Sequence, residues 1–242
     1  MDLKGKSILI TGAGVRVGRA MAKAVARAGA SVIIHYGSSK DEAASLKGEL
    51  ESLGAAAHLL QADFSQPQQA AGLVESALEF GPLYALVNSA AIFKKLDLEN
   101  SDLESWQLHL DINLTAPFLL SQAFWKAAKK TGAEGRIVNI LDWRALRPGA
   151  DHLPYTVSKA ALAALTQSLA VATAPKVTVN GIAFGAILPP TDGGDTTGIL
   201  KRVPAGRWAQ LDEVGQTLLF LLAGPQYITG EIIYLDGGRH LV

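Results

Sequence analysis

The chain has 242 residues, 49% of them hydrophobic and 18% charged, with a formal net charge of zero and no cysteine. Such a composition describes a globular protein with a sizeable core and excludes a disulfide framework, a thiol nucleophile and any cysteine-based metal site. The absence of a basic block argues against nucleic acid as a partner, and five scattered histidines without H-x-x-x-H spacing give no reason to expect a metal.

Short apolar runs alternate with longer helical patterns along the whole chain. The N-terminus lacks the pattern of a signal peptide and goes directly into a strand from Ser7 to Ile10. A helix from Val17 to Ala28 follows, then a strand from Ser31 to Tyr36 and a helix from Asp41 to Leu53. Next come a strand from Ala57 to Ala62, a helix from Gln68 to Glu79 and a strand from Leu83 to Asn88. One long helix is predicted from Ser101 to Lys130, then a strand beginning at Arg136 and ending on Asp142, and a helix from Pro154 to Ala174. A strand from Val177 to Ala183, a helix from Asp212 to Ala223 and a last strand from Glu231 to Leu235 complete the set. Alternation of this kind predicts an α/β fold, a doubly wound parallel sheet of seven strands with helices on both faces, in a single domain spanning 1–242. The Pro-, Gly- and Thr-rich stretch 186–205 has no periodicity and reads as a lid over the carboxyl edge of the sheet. No uncharged apolar run reaches the ~18–20 residues of a membrane span, so the expectation is a soluble, cytoplasmic protein with no membrane partner.

The first strand is followed by T-G-A-G-V-R-V-G, Thr11 to Gly18. Gly12 permits a tight turn, Val17 and Gly18 open the helix, and the helix N-terminus offers free N–H groups to a pyrophosphate. The second strand ends His35-Tyr36-Gly37-Ser38-Ser39, with no acid before Asp41 to grip a ribose hydroxyl. Arg16 in the loop, with hydroxyl donors nearby, suits a 2′-phosphate and therefore NADPH; the alternative makes Arg16 a solvated loop residue and His35 an edge filler. Asp63 either meets the adenine or caps the helix after it. Asn88, Ser89 and Ala90 end the fourth strand with small residues that let the backbone approach a cofactor, and Phe93 beyond them is either core or an aromatic wall for a substrate.

Tyr155 and Lys159 stand four apart and share one helix face. A lysine beside a phenol is expected to lower its pKa and make Tyr155 a proton donor near neutral pH, with both residues facing the cofactor. Asn113, in the apolar segment Asp111-Ile112-Asn113-Leu114, is either the anchor of a relay water that serves Lys159 or a satisfied structural amide.

Together these marks resemble the short-chain dehydrogenase/reductase family over essentially the full length. Thr11-Gly12 with Gly18, Asp63, Asn88 and Ala90, Asn113, Tyr155 with Lys159, Asn180, and Ile228-Thr229-Gly230 with Asp236-Gly237-Gly238 carry the resemblance. It implies a Rossmann fold, a nicotinamide cofactor touched also by Gly185 and Ile187, and an Asn–Ser–Tyr–Lys tetrad in which Asn113, Tyr155 and Lys159 fill three places. The family's serine lies thirteen residues before the tyrosine, where this chain has Asp142. That aspartate, Arg16, and His35-Tyr36 resemble the pteridine reductase branch. The pattern Asp142, Arg147, Gly149, Asp151, His152, Tyr155 and the tail Asp236 to Leu241 are similar to its dihydromonapterin-reductase-like members. Departures are Ala91 in place of a serine and Phe184-Gly185 in place of Pro-Gly.

The branch implies reduction of a C=N bond in a pterin or dihydrofolate-like substrate. Its ring would stack on Phe93 and meet Asp142 and Tyr155, with the Asp142 pKa raised in a partly dry pocket. It also implies a homotetramer paired through the fourth and fifth helices. Two alternatives stand beside this: a carbonyl reductase, for example of 3-oxoacyl thioesters, and a non-catalytic NADPH-binding protein.

Overall fold

The computed structural model describes residues 2–189 and 197–242. Among them a seven-stranded parallel sheet runs in the order β3-β2-β1-β4-β5-β6-β7. Its strands are β1 (Ser7–Ile10), β2 (Ser31–Tyr36), β3 (Ala57–Gln61), β4 (Ala85–Asn88), β5 (Gly135–Asp142), β6 (Val177–Phe184) and β7 (Ile232–Leu235). The helices are α1 (Arg16–Arg27), α2 (Lys40–Ser52), α3 (Pro67–Leu78), α4 (Leu103–Leu110), α5 (Ala116–Thr131), α6 (Leu153–Thr173), α7 (Thr197–Leu200) and α8 (Leu211–Ala223). Strand order reverses between β1 and β4, which opens a crevice at the carboxyl edge.

Covering both faces requires apolar residues on both sides of each central strand. In β1, Ile8 and Ile10 join Val25, Leu46 and Leu218 on one face. Leu9 between them joins Leu73, Leu120 and Phe124 on the other. The expected strands and helices thus appear, with ends shifted by a residue or two. No helix among the described residues is long and apolar enough to cross a membrane.

The long helix expected over 101–130 is instead interrupted. After α4, residues Asp111–Thr115 form a π turn in which the Ala116 N–H bonds the Asp111 carbonyl, and α5 then starts with Ala116 and Pro117. Pro117 has no N–H to give and its ring crowds the preceding turn, so a regular helix cannot pass through it. The wider turn absorbs the misfit. At the front, α4 begins on Asp102, which accepts the Ser105 N–H in a capping box. In the 186–205 stretch, residues 190–196 lie outside the described residues; beyond them Val203 is buried and Ala205 N bonds Gly237 O.

The crevice is fixed at β1 by three pins. The Thr11 hydroxyl oxygen accepts from the Ser89 and Ala90 N–H groups at 2.8 and 3.0 Å, tying the ends of β1 and β4 together. Gly12 has φ +63, and a Cβ there would stand 2.9 Å from Ala90 Cα. His35, 2% exposed, sits beneath the loop and stacks on Phe64 with ring centroids 4.3 Å apart. Its Nδ1 accepts the Gly12 N–H at 3.1 Å and its Nε2 gives a proton to the Ala62 carbonyl at 3.0 Å. That pattern needs the neutral ring, and burial pushes its pKa from 6.5 down to about 4.

A histidine whose folded pKa is depressed adds stability that is fully present above its unfolded pKa of 6.5 and is lost as pH falls toward about 4. The shift is worth about 3 kcal/mol. The urea midpoint of the wild type should therefore fall on acidification through that window. His35→Gln, which keeps an acceptor and a donor without a titrating ring, should fall less steeply; equal slopes would mean that His35 is not the titrating group.

Candidate functional site

Asp142 ends β5, Tyr155 lies in the first turn of α6, and Lys159 follows one turn later. All three meet at the carboxyl edge. The Tyr155 hydroxyl donates to Asp142 Oδ2 at 3.1 Å, and Asp142 Oδ1 accepts the Arg144 N–H at 2.9 Å. Lys159 Nζ donates to the Ile140 carbonyl at 2.7 Å and is 5.9 Å from the Tyr155 ring centroid.

Burial dominates the electrostatics of this group. It raises the Asp142 pKa, as the sequence predicts, against the lowering pull of the Arg144 N–H, the Tyr155 hydroxyl and the nearby cations. Lys159 is pushed down to about 8 by burial, with Asp142 pulling the other way. Tyr155 departs from expectation. Burial comes first, then the charge of Asp142 and its hydrogen bond, and together they hold the phenol well above its usual value of 10. The expected lowering by Lys159 is absent because the ammonium spends its bond on Ile140 while a carboxylate, not a cation, touches the phenol.

Asn113 is fully buried in the π turn. Its Oδ1 accepts the Ile92 N–H at 2.9 Å, and its Nδ2 donates to Ile92 O at 3.1 Å and to Ser158 Oγ at 3.0 Å. Both amide N–H groups are spent inside the protein, so the side chain holds the segment after β4 against α6 and has no N–H left for a relay water. Ser158, which the sequence reading passed over, passes the link on by donating to Tyr155 O at 2.7 Å. Its signal was the three-residue spacing from Tyr155 on the buried face.

Phe93 is 56% exposed. It stacks on His152 at 4.2 Å and meets Tyr155 edge-on at 4.6 Å. The segment bearing it is pinned at Ile92 by Asn113 and at Leu96 by the Leu153 N–H, 2.7 Å from Leu96 O. His152 has φ +55, in the left-handed region that few residues other than glycine adopt, and its Nδ1 lies 3.0 Å from Asp151 Oδ2. Asp151 in turn takes Arg144 in two bonds of 2.7 and 3.2 Å.

On the other side of the crevice, α1 has no acid in its first turn and no side-chain cap, so its N-terminal N–H groups remain available to an anion. A Cβ on Gly18 would run into the Gly12 carbonyl, and one on Gly14 would come 3.2 Å from Ser39 Oγ. Arg16 is exposed, with φ +50, and donates to the Pro189 carbonyl at 3.3 Å. Ser39 lies beside this loop, and Ser38 precedes Ser39 in the chain. These residues fit a dinucleotide phosphate cradle.

Other expected contacts turn inward. His35 uses both ring nitrogens within the protein. Tyr36 and Ile187 are buried, and Val17 packs partly against the same core. Gly185 is required by strand packing, since a Cβ would sit 2.6 Å from Asp236 Cα. Asn88 Nδ2 bonds Asn139 Oδ1 at 2.8 Å and Ser121 Oγ at 3.2 Å, leaving its own Oδ1 without a partner among the described residues. Asp63 is exposed; its Oδ1 accepts the Ser65 N–H at 2.9 Å, a turn before α3 rather than the helix cap itself, which is Gln66. The described residues include no group of three or more His, Cys, Asp or Glu that could hold a metal.

Comparison with known proteins agrees with this geometry. The family model described as enoyl-(acyl carrier protein) reductase matches residues 12–240. The chain is 36% identical to 2-dehydro-3-deoxy-D-gluconate 5-dehydrogenase of Bacillus subtilis, over 98% of this chain and 95% of that one. It is 33% identical to 3-oxoacyl-[acyl-carrier-protein] reductase of Synechocystis, over 98% of this chain and 97% of that one. Among solved structures, FolM alternative dihydrofolate reductase 1 from Brucella canis, complexed with NADP, superposes with a TM-score of 0.91 at 33% identity, covering 100% of this chain and 97% of the other. With its crevice, glycine loop and Tyr155–Lys159 pair, this chain belongs to the short-chain dehydrogenase/reductase family of oxidoreductases.

Proposed function

We propose that the protein is an NADPH-dependent reductase of the C=N bond in a dihydropterin or dihydrofolate-like substrate. The observation that carries this reading is the carboxyl group of Asp142 hydrogen-bonded to the Tyr155 hydroxyl. A hydroxyl at that place donates to a ketone oxygen. A carboxyl group can accept from the amino and ring N–H groups of a pterin, and when protonated can pass a proton to a ring nitrogen. The likeness to a dihydrofolate reductase solved with NADP supports both substrate and cofactor.

NADPH supplies the hydride when bound. Gly12, Gly18 and the start of α1 hold its pyrophosphate, Arg16 with Ser38 and Ser39 its 2′-phosphate, and Lys159 its nicotinamide ribose. Asp63, Ser89 and Ala90 line the path between. Phe93 offers a flat apolar face to the pterin ring. As the ring carbon accepts hydride, the ring nitrogen takes a proton from Tyr155 or from Asp142, whose protonated form burial favours. Asn113 acts as a positioning residue for this group. Copies pair through α4, α5 and α6 into a tetramer, covering the exposed Phe118 and Val171.

A 3-oxoacyl thioester is the second reading, favoured by the Synechocystis relative. A panel of dihydrobiopterin, dihydromonapterin, dihydrofolate and an acetoacetyl thioester, each offered with NADPH and with NADH, separates the two. Turnover of the pterins with NADPH is expected; turnover of the thioester alone would overturn the pterin reading.

Tyr155→Phe should lower kcat by about 100-fold or more while NADPH still quenches protein fluorescence at wild-type concentrations; retained turnover would remove Tyr155 from the chemistry. Pterin turnover should decline as pH rises through the raised Asp142 pKa, because the protonated carboxyl is then lost. Asp142→Asn should erase that limb of the profile. Arg16→Gln should raise the KM for NADPH about tenfold or more and that for NADH hardly at all; equal changes would refute a 2′-phosphate contact.

A further inference from the structure

Four arginines from three separate segments meet beside Asp142. Trp143 is the platform: the Arg144 guanidinium lies 5.0 Å from its ring centroid and the Arg239 guanidinium 4.8 Å. Arg239 Nη1 donates to the Ile199 carbonyl at 2.7 Å, and the backbone N–H of Arg202 reaches that same carbonyl at 3.2 Å. Arg147 Nη1 donates to the carbonyl of His240, the neighbour of Arg239, at 3.3 Å and also to Val242 O. In a chain with zero formal net charge, such convergence is not a by-product of basic composition.

Among the described residues the acids offset this charge only in part. Asp151 pairs with Arg144 in two bonds and also meets His152, while no carboxylate side chain among them pairs with Arg147, Arg202 or Arg239. Asp236 is buried and bonds the ring and N–H of His240. Burial favours the neutral form of Asp142. The mutual repulsion is visible at Arg239, whose pKa is lowered by burial first and then by Arg202, Arg144 and Arg147, with Asp142 alone opposing. Asp142, bonded to Tyr155, places the cluster next to the proton-transfer group.

We infer that Arg147, Arg202 and Arg239, beside the Trp143 platform and the Arg144–Asp151 pair, form an anion-binding subsite at the substrate mouth that holds a carboxylate or phosphate on the substrate's tail. Guanidinium groups on an aromatic face are poised to take such oxygens in paired charge-assisted hydrogen bonds. The inference rests on the pterin reading for the ring, and it selects within that class the substrates with a charged tail, such as the glutamate of dihydrofolate, over pterins whose side chain is neutral.

The test compares dihydrofolate with dihydrobiopterin in the NADPH-dependent assay. Arg147→Gln and Arg239→Gln should each raise the KM for dihydrofolate about tenfold with kcat nearly kept, against less than about twofold for dihydrobiopterin. Arg239→Lys should recover most of the loss, and added salt should weaken dihydrofolate alone. Equal effects on both substrates would overturn the subsite and leave the pterin reading intact.

A second arm needs no turnover: calorimetric titration of the NADP-loaded protein with p-aminobenzoylglutamate and with inorganic phosphate. Weaker binding of either in Arg239→Gln than in wild type supports the subsite even if no pterin is reduced, and identifies the tail as carboxylate or phosphate. Binding that is absent, or the same in both proteins, overturns it.

Discussion

Three ionisable side chains, the half-buried Asp142 and the buried Tyr155 and Lys159, meet at the end of β5 and the start of α6. Removing charge from water is costly, so each is drawn toward its neutral form. One hydrogen bond apiece offsets part of that cost: Tyr155 to Asp142, Asp142 from the Arg144 N–H, Lys159 to the Ile140 carbonyl. The phenol and the carboxyl share a single contact and titrate as a pair rather than as independent acids. Much of the neighbouring structure serves to keep this group in place. The chain Ile92–Asn113–Ser158–Tyr155 fixes the tyrosine from behind, and the Phe93 and His152 rings cover it from the front.

The carboxyl edge divides at the point where strand order reverses. On the β1–β2 side the polar groups are backbone N–H and hydroxyls, held by Thr11, Gly12 and His35. On the β5–β7 side they are ionisable side chains on Trp143, around Asp142 and along the Asp236–His240 turn. The first half is suited to a phosphate-rich ligand. The second half is built from loops and a strand terminus rather than from the sheet's interior.

Much of this was legible in the sequence. Parallel strands buried on both faces leave unbroken apolar runs such as Val32 to Ile34, and the i, i+4 spacing put Tyr155 and Lys159 on one face. What spacing cannot give is the partner of each donor. It placed Lys159 beside Tyr155 but not its Nζ on Ile140, so the direction of the tyrosine shift came out reversed. His35 looked like a cofactor contact because its partners, Gly12, Ala62 and Phe64, belong to other segments. The arginine cluster was invisible for the same reason: only the fold brings residues 144, 202 and 239 together. The interruption of the long helix, by contrast, had a visible sign in Pro117.

That interruption has a consequence for how the chain can change over evolutionary time. A π turn is a helix carrying one residue too many, and a residue added to or removed from a helix rotates everything beyond it by about 100°. Deleting one residue from 111–115 would remove the wider turn, and the two halves of the helix would no longer face their present neighbours together. With Phe124 and Leu120 kept in the core, Asn113 would swing away from Ile92 and Ser158; with Asn113 kept, the sheet would lose Phe124. Substitutions can accumulate along this segment, but its length is locked by the need to satisfy two neighbours at once.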